Sequence, residues 1–169
     1  SSDLSACSEE FLDGALADFG RVIDLNVPAM LTLVQRYGPL VDAGSDDAAD
    51  AAAALWAEDG TYDVEGWSMC GRADIAAMVR SPEHQGLIGR GCCHFLGPAV
   101  VTVDGDKAVA VCESALLVHR DGRFAVARAG ANHFRLRRID GRWKITERTT
   151  RALDGKPEAR QLLSDGVDR

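Results

Sequence analysis

Apolar positions recur at two different periods along this chain, and the change of period divides it. Over residues 8–24, Phe11, Leu12, Ala15, Leu16, Phe19, Val22 and Ile23 fall at helical intervals. Asn26 and Pro28 then supply a cap and first turn for a second helix carrying Met30, Leu31, Leu33 and Val34. Pro39 lacks a backbone donor and crowds the carbonyl four residues back, so a kink is expected at Gly38-Pro39, with PLVDAG as a short continuation. Residues 46–57, DDAADAAAALWA, read as an alanine-rich helix whose aspartates sit near its start and favour its dipole. EDG ends it. Short strands are expected at 60–65 and 67–70, a helix near 72–80, and then a loop holding Pro82 and His84.

From residue 91 onward the period is two. Strands are expected at 91–103, 107–119, 123–138 and 142–151, separated by VDGDK, HRDGR and IDGRW. Each separator carries Asp-Gly, the strongest short hairpin signal, so the four strands should form an antiparallel meander. Helices first and a curved antiparallel sheet afterwards make an α+β domain with the helices covering one face of the sheet.

The faces of two strands carry the candidate chemistry. In the strand at 123–138 the even positions read Phe124, Val126, Arg128, Gly130, Asn132, Phe134 and Leu136, and this face is expected to look inward. Arg128 and Asn132 interrupt it. A buried arginine or amide is costly without a polar partner, so either Arg128 pairs with a carboxylate across a subunit contact and Asn132 with neighbouring backbone, or both reach a pocket. A bulge would exchange the two faces. At 91–103, Cys92, His94 and Leu96 share one face, and Cys93, Phe95 and Gly97 the other. If the first face lines a cavity, His94 is a candidate base, and a base needs an acceptor on its second ring nitrogen. Asp42, following Leu40 and Val41, is the candidate acceptor; as a helix-end residue it can equally bond local backbone. Cys92 reads as a small core residue rather than a nucleophile or ligand. His84 and His119 are expected in solvent, and His133 at a surface or interface. Glu113 interrupts AVAVCESALLV and faces inward if the odd face of that strand does.

Composition removes several classes of partner. A length of 169 residues fits one domain. A net charge of −7, with RLRR at 135–138 as the one basic cluster, argues against nucleic acid. No apolar run reaches membrane-spanning length, and the first residues are acidic and polar, so a cytoplasmic location without membrane association is expected. The five cysteines lack C-x-x-C spacing, which predicts reduced thiols and no structural metal.

The pattern RYGPLVD, ALWAEDGTYDVEG, a lone histidine, VDGDKAVA and HFRLRRIDGRWKITERTT, over roughly residues 26–152, resembles the SnoaL-like branch of the nuclear-transport-factor-two-like superfamily. The resemblance implies a cone-shaped α+β barrel, its curved sheet wrapped around helices with a deep pocket between them. It divides the chain into an N-terminal helical extension (1–25), the barrel domain (26–152) and a C-terminal helix or tail (153–169). Bile-acid 7α-dehydratase, scytalone dehydratase and lindane dehydrochlorinase, all members, use an aspartate from the helices and a histidine from the sheet as a dyad. Asp42 and His94 match those positions, and Tyr37 and Tyr62 match two tyrosines of the first enzyme. The implied activity is a cofactor-independent dehydratase-type lyase: His94 takes a proton alpha to a carbonyl or enone, and Tyr37 or Tyr62 donates to the oxyanion or leaving hydroxyl. Arg128 or Asn132 would fix a polar substituent, and Phe124, Val126, Phe134 and Trp67 would wall in a small hydrophobic, steroid-like or polyketide-like ring system. An isomerase or polyketide cyclase with the same base is the alternative, as is a non-catalytic binding or assembly protein. A homo-oligomer is expected, trimer before dimer, through the alanine-rich odd face at 125–131.

Overall fold

The structure, a computed structural model, describes residues 26–167; the helix expected at 8–24 and the N-terminal extension containing it lie outside the described residues. Helix α1 (Asn26–Gln35) ends one residue before α2 (Tyr37–Ala43). The break thus falls at Arg36, two residues ahead of Gly38-Pro39. Pro39 still causes it, because without an N–H at residue 39 the carbonyl of Gln35 loses its partner one turn later. Gly44 ends α2 with φ of 65°, and Ser45 caps α3 (Asp46–Ala53) by accepting the Ala48 N–H.

Helix α3 stops four residues earlier than expected, because β1 (Trp56–Val64) begins at once. Its register against the last strand slips between Trp56 and Thr61, so AEDG is an irregular stretch of strand rather than a helix end. Next come β2 (Trp67–Cys70), α4 (Gly71–Arg80) and α5 (Pro82–Arg90). The loop expected around Pro82 and His84 is therefore a helix: Ser81 accepts the His84 N–H as N-cap, and Pro82 takes the first position, where its missing donor costs nothing. His84 is buried rather than solvated.

The strand expected at 91–103 is split into β3 (Cys92–Leu96) and β4 (Val100–Asp104) by Gly97-Pro98. Both pair antiparallel with β5 (Lys107–Arg120), which continues through hairpins into β6 (Arg123–Ile139) and β7 (Arg142–Ala152). Asp121-Gly122 and Asp140-Gly141 have positive φ at both residues (52° and 75°, 50° and 74°), as type I′ turns demand. The meander is as expected. The sheet runs β2-β1-β7-β6-β5-β3 with β4 also on β5, and β1 pairs parallel with β7. It is curved and stays open, an α+β fold with helices preceding the sheet. Trp56, Phe134, Leu136 and Ile145 meet Met30, Val34, Val41, Ile75 and Val79 in its core. Helix α6 (Pro157–Val167) covers part of the outer face of β4, β5 and β6, where Gly166 lies against Val111. His133, on that outer face, is buried instead of surface-exposed.

Two bulges decide which side chains face inward. In the β5–β6 ladder Leu116 faces Arg128 and Leu117 faces Val126, so Ala127 is the extra residue. Arg128, Asn132, Phe134 and Leu136 share the concave face with Cys112 and Ala110, but Phe124 and Val126 are turned outward and are 64% and 62% exposed. The expectation that these two wall a pocket is corrected by that bulge. Glu113 pairs with Ala131 on the outer face and is exposed. In the β6–β7 ladder Thr146 is the extra residue, so the inward set changes from Trp143 and Ile145 to Arg148 and Thr150.

Helix α2 lies so close to β3 that a Cβ on Gly38 would stand 2.2 Å from the carbonyl oxygen of His94. Only glycine fits there without displacing backbone. Gly38→Ala is expected to cost about 1–3 kcal/mol through overpacking, read as a lower urea midpoint. An unchanged midpoint would mean that the helix and strand can separate freely.

Candidate active site

Asp42 leaves the last turn of α2 pointing at the edge strand. Its Oδ2 accepts the His94 backbone N–H at 2.8 Å, and its Oδ1 accepts Nδ1 of the His94 ring at 2.6 Å. With Nδ1–H committed to the carboxylate, the neutral ring carries its free lone pair on Nε2. The Cys92 thiol, two residues back on the same face, also donates to Oδ1 at 3.6 Å. Burial raises the Asp42 carboxyl, but the His94 ring and backbone donors and the thiol outweigh it and hold it below its ordinary 3.8.

His94 opens onto a cavity of about 180 Å³ between the helices and the concave sheet. Its polar lining includes Tyr37, Tyr62, His84, Arg128 and Arg148, and its apolar lining includes Met69, Met78 and Leu96. Trp67 on β2 and Phe95 on β3 also line it and are 59% and 54% exposed, which puts them at the rim. An open groove of about 680 Å³ shares Trp67, Met69, Met78 and His84 with the cavity. His84 Nε2 donates to the Val41 carbonyl at 2.9 Å, and its ring lies 5.3 Å from that of His94.

Arg148 is the residue that sequence reasoning missed. It is 3% exposed and has no carboxylate partner among the described residues. Its Nε and Nη2 donate to Asn132 Oδ1 at 3.2 and 2.8 Å, and Thr150 donates to the same oxygen at 2.9 Å. The guanidinium lies over the rings of Tyr37, Tyr62 and Phe134 at 4.3, 4.5 and 4.9 Å. Nη1 is buried without a hydrogen-bond partner among the described residues. Asn132 and Phe134, expected as contacts to a ligand, instead lie under Arg148 and hold it. Burial pushes the Tyr37 phenol well above its ordinary range; neighbouring Tyr62 adds to this and Arg148 opposes it.

Of the residues singled out in the sequence, the structure therefore brings together Asp42, His94, Tyr37, Tyr62, Arg128 and Trp67. Arg128 Nη2 is held by Glu65 of the β1–β2 turn at 2.6 Å, so it has an intrachain carboxylate and still reaches the cavity wall.

The profile of the SnoaL-like domain matches residues 27–149. The chain belongs to the SnoaL-like family. A nuclear-transport-factor-two-like protein with a cystatin-like fold from Novosphingobium aromaticivorans is 42% identical to this SnoaL-like chain, with a TM-score of 0.81 over 88% of this chain and 94% of that one. A candidate aromatic ring hydroxylase from the same organism is 26% identical, with a TM-score of 0.60 over 74% and 87%. A candidate scytalone dehydratase, again from that organism, is 18% identical, with a TM-score of 0.61 over 76% and 84%, and so shares the fold. No curated protein matches the chain. Among the described residues no helix is long and apolar enough to cross a membrane.

The lowered Asp42 carboxyl makes a prediction about acid stability. A carboxyl whose folded value lies below its unfolded one contributes stability that is complete above the unfolded value and is lost as pH falls through the folded one. Between about pH 5 and about pH 2 the melting temperature of the native protein should therefore drop further than that of Asp42→Asn. Parallel acid profiles for the two proteins would show that Asp42 contributes nothing to folding.

Proposed function

We propose that this SnoaL-like protein is a dehydratase-type lyase that removes water from a compact cyclic β-hydroxy carbonyl compound. What carries the reading is a histidine held at Nδ1 by a carboxylate, in a cavity that also holds a cation with no carboxylate partner among the described residues. His94 Nε2 takes the proton alpha to the carbonyl, and Asp42 stabilises the resulting imidazolium. The electron pair moves onto the carbonyl oxygen, where Arg148 and the Tyr37 and Tyr62 phenols supply positive charge and hydrogen bonds. Collapse of the enolate expels the β-hydroxyl, which leaves as water with the proton that His94 returns. Base, acid and oxyanion partner are all side chains of this chain.

The cavity is smaller than the roughly 300–1,000 Å³ usual for ligand sites. It favours one or two rings over a four-ring steroid, with larger substituents running into the adjoining groove past Trp67. Arg128, held by Glu65, is a hydrogen-bond donor for a polar substituent at the wall. The candidate scytalone dehydratase with the same fold gives independent support for elimination chemistry on this scaffold.

The test is a panel of one- and two-ring β-hydroxy ketones followed by mass spectrometry, where loss of one water marks a dehydratase and unchanged mass an isomerase. His94→Ala should lower kcat by about 10²- to 10⁴-fold, Asp42→Asn nearly as much, and Tyr37→Phe or Tyr62→Phe only in part. A folded His94→Ala variant with near-native turnover would remove the proposal. Arg148→Met has a second signature. It should lower kcat by about 10²- to 10³-fold while the melting temperature holds or rises, because a buried charge without a counter-ion is costly to the fold. Loss of activity together with stability would make Arg148 structural.

A further inference from the structure

We propose that Asp42, Cys92 and His94 form a binding site for a divalent cation of the zinc class, with Asp42 Oδ1, Cys92 Sγ and His94 Nδ1 as its three protein ligands. The three residues' donor atoms all lie within 4.8 Å of one another. Asp42 Oδ1 stands 3.6 Å from Cys92 Sγ and 2.6 Å from His94 Nδ1. Around a tetrahedral zinc ion, with bonds of about 2.0–2.3 Å, neighbouring ligand atoms stand roughly 3.3–3.6 Å apart. The oxygen–sulfur pair already has that spacing, and the oxygen–nitrogen pair has to open by less than about 1 Å. Alternation along β3 puts Cys92 and His94 on the side that faces α2, so sulfur and imidazole converge on one carboxylate. All three residues are partly exposed, which leaves room for water as fourth ligand. One sulfur, one nitrogen and one oxygen donor suit a borderline cation, not magnesium or calcium.

Protons balance simply. In the free protein the thiol and Nδ1–H both donate to Asp42 Oδ1. A cation takes the place of both protons: the thiol proton passes to solvent, the Nδ1 proton is lost as Nε2 gains one, and about one proton is released per cation. An ordinary thiol keeps its proton near neutrality, so the proton is there to be released. With Nε2 protonated the ring no longer accepts a proton. That consequence, an enzyme switched off by the cation, rests on the proposed function; the site itself does not.

The test needs no substrate, so a failed turnover assay leaves it intact. The reduced full-length chain is titrated with Co²⁺ alone, following the near-ultraviolet thiolate-to-cobalt absorption and proton release in weak buffer. The expected result is saturation near one equivalent with about one proton released. The band should vanish in Cys92→Ala and His94→Ala and persist in Cys93→Ala and Cys70→Ala. Cys92→Ser preserves volume and hydrogen bonding, and should fold and lose the band even if Cys92→Ala does not fold. A band that survives in Cys92→Ser, a band lost only with Cys93 or Cys70, or no band at millimolar Co²⁺ would each overturn the site.

Discussion

One carboxylate ties the helical half of this protein to its sheet. Strand β3 is an edge strand, and an edge exposes backbone donors that must find partners. Asp42 supplies one from α2, accepting the His94 N–H with one oxygen and the His94 ring with the other. The same contact therefore fixes the backbone of the strand and the tautomer of its histidine. Gly38, one turn earlier on α2, is what lets the helix come near enough. Gln35 repeats the device further along, with Nε2 donating to the Gly97 carbonyl at 2.8 Å. Position and chemistry at His94 are thus set by one seam.

The opposite side of the cavity is governed by a charge that no carboxylate among the described residues neutralises. A guanidinium on the concave face would normally call for a carboxylate, yet Arg148 is held by an amide oxygen and three aromatic faces. This gives the cavity polarity: a proton acceptor at His94 and a fixed positive charge at Arg148, with two phenols beside it. The proposed substrate, a ring bearing a carbonyl, would match that polarity, since its acidic hydrogen and its oxygen sit on adjacent carbons.

Much of this was legible in the sequence because it rests on local rules. Asp-Gly turns announced the meander, period two put Cys92 beside His94, and the family resemblance singled out Asp42, Tyr37 and Tyr62. The errors share a cause. Alternation is a counting rule, and every bulge shifts the count by one. Counting across Ala127 carried Phe124 and Val126 to the wrong face. No face of the strand at 142–151 was assigned from the sequence, and counting across Thr146 from Trp143 and Ile145 would have turned Arg148 outward. Ser81-Pro82 held a different signal, a cap followed by a first-turn proline, and reading it as a helix start would have brought His84 out of solvent.

The bulges also bear on how such a cavity diversifies. Each is a single extra residue, so one three-nucleotide deletion at Ala127 or Thr146 would restore regular alternation while leaving every pairing partner, and with it every side chain's face, in place. A point substitution replaces one lining group with another of the same reach. Loss of a bulge replaces none of them: Val126 still pairs with outward Leu117, and Arg148 with inward Phe134. Single-residue insertions and deletions at these two points are thus absorbed by the sheet, and the pocket's lining changes by substitution while strand length drifts independently of it.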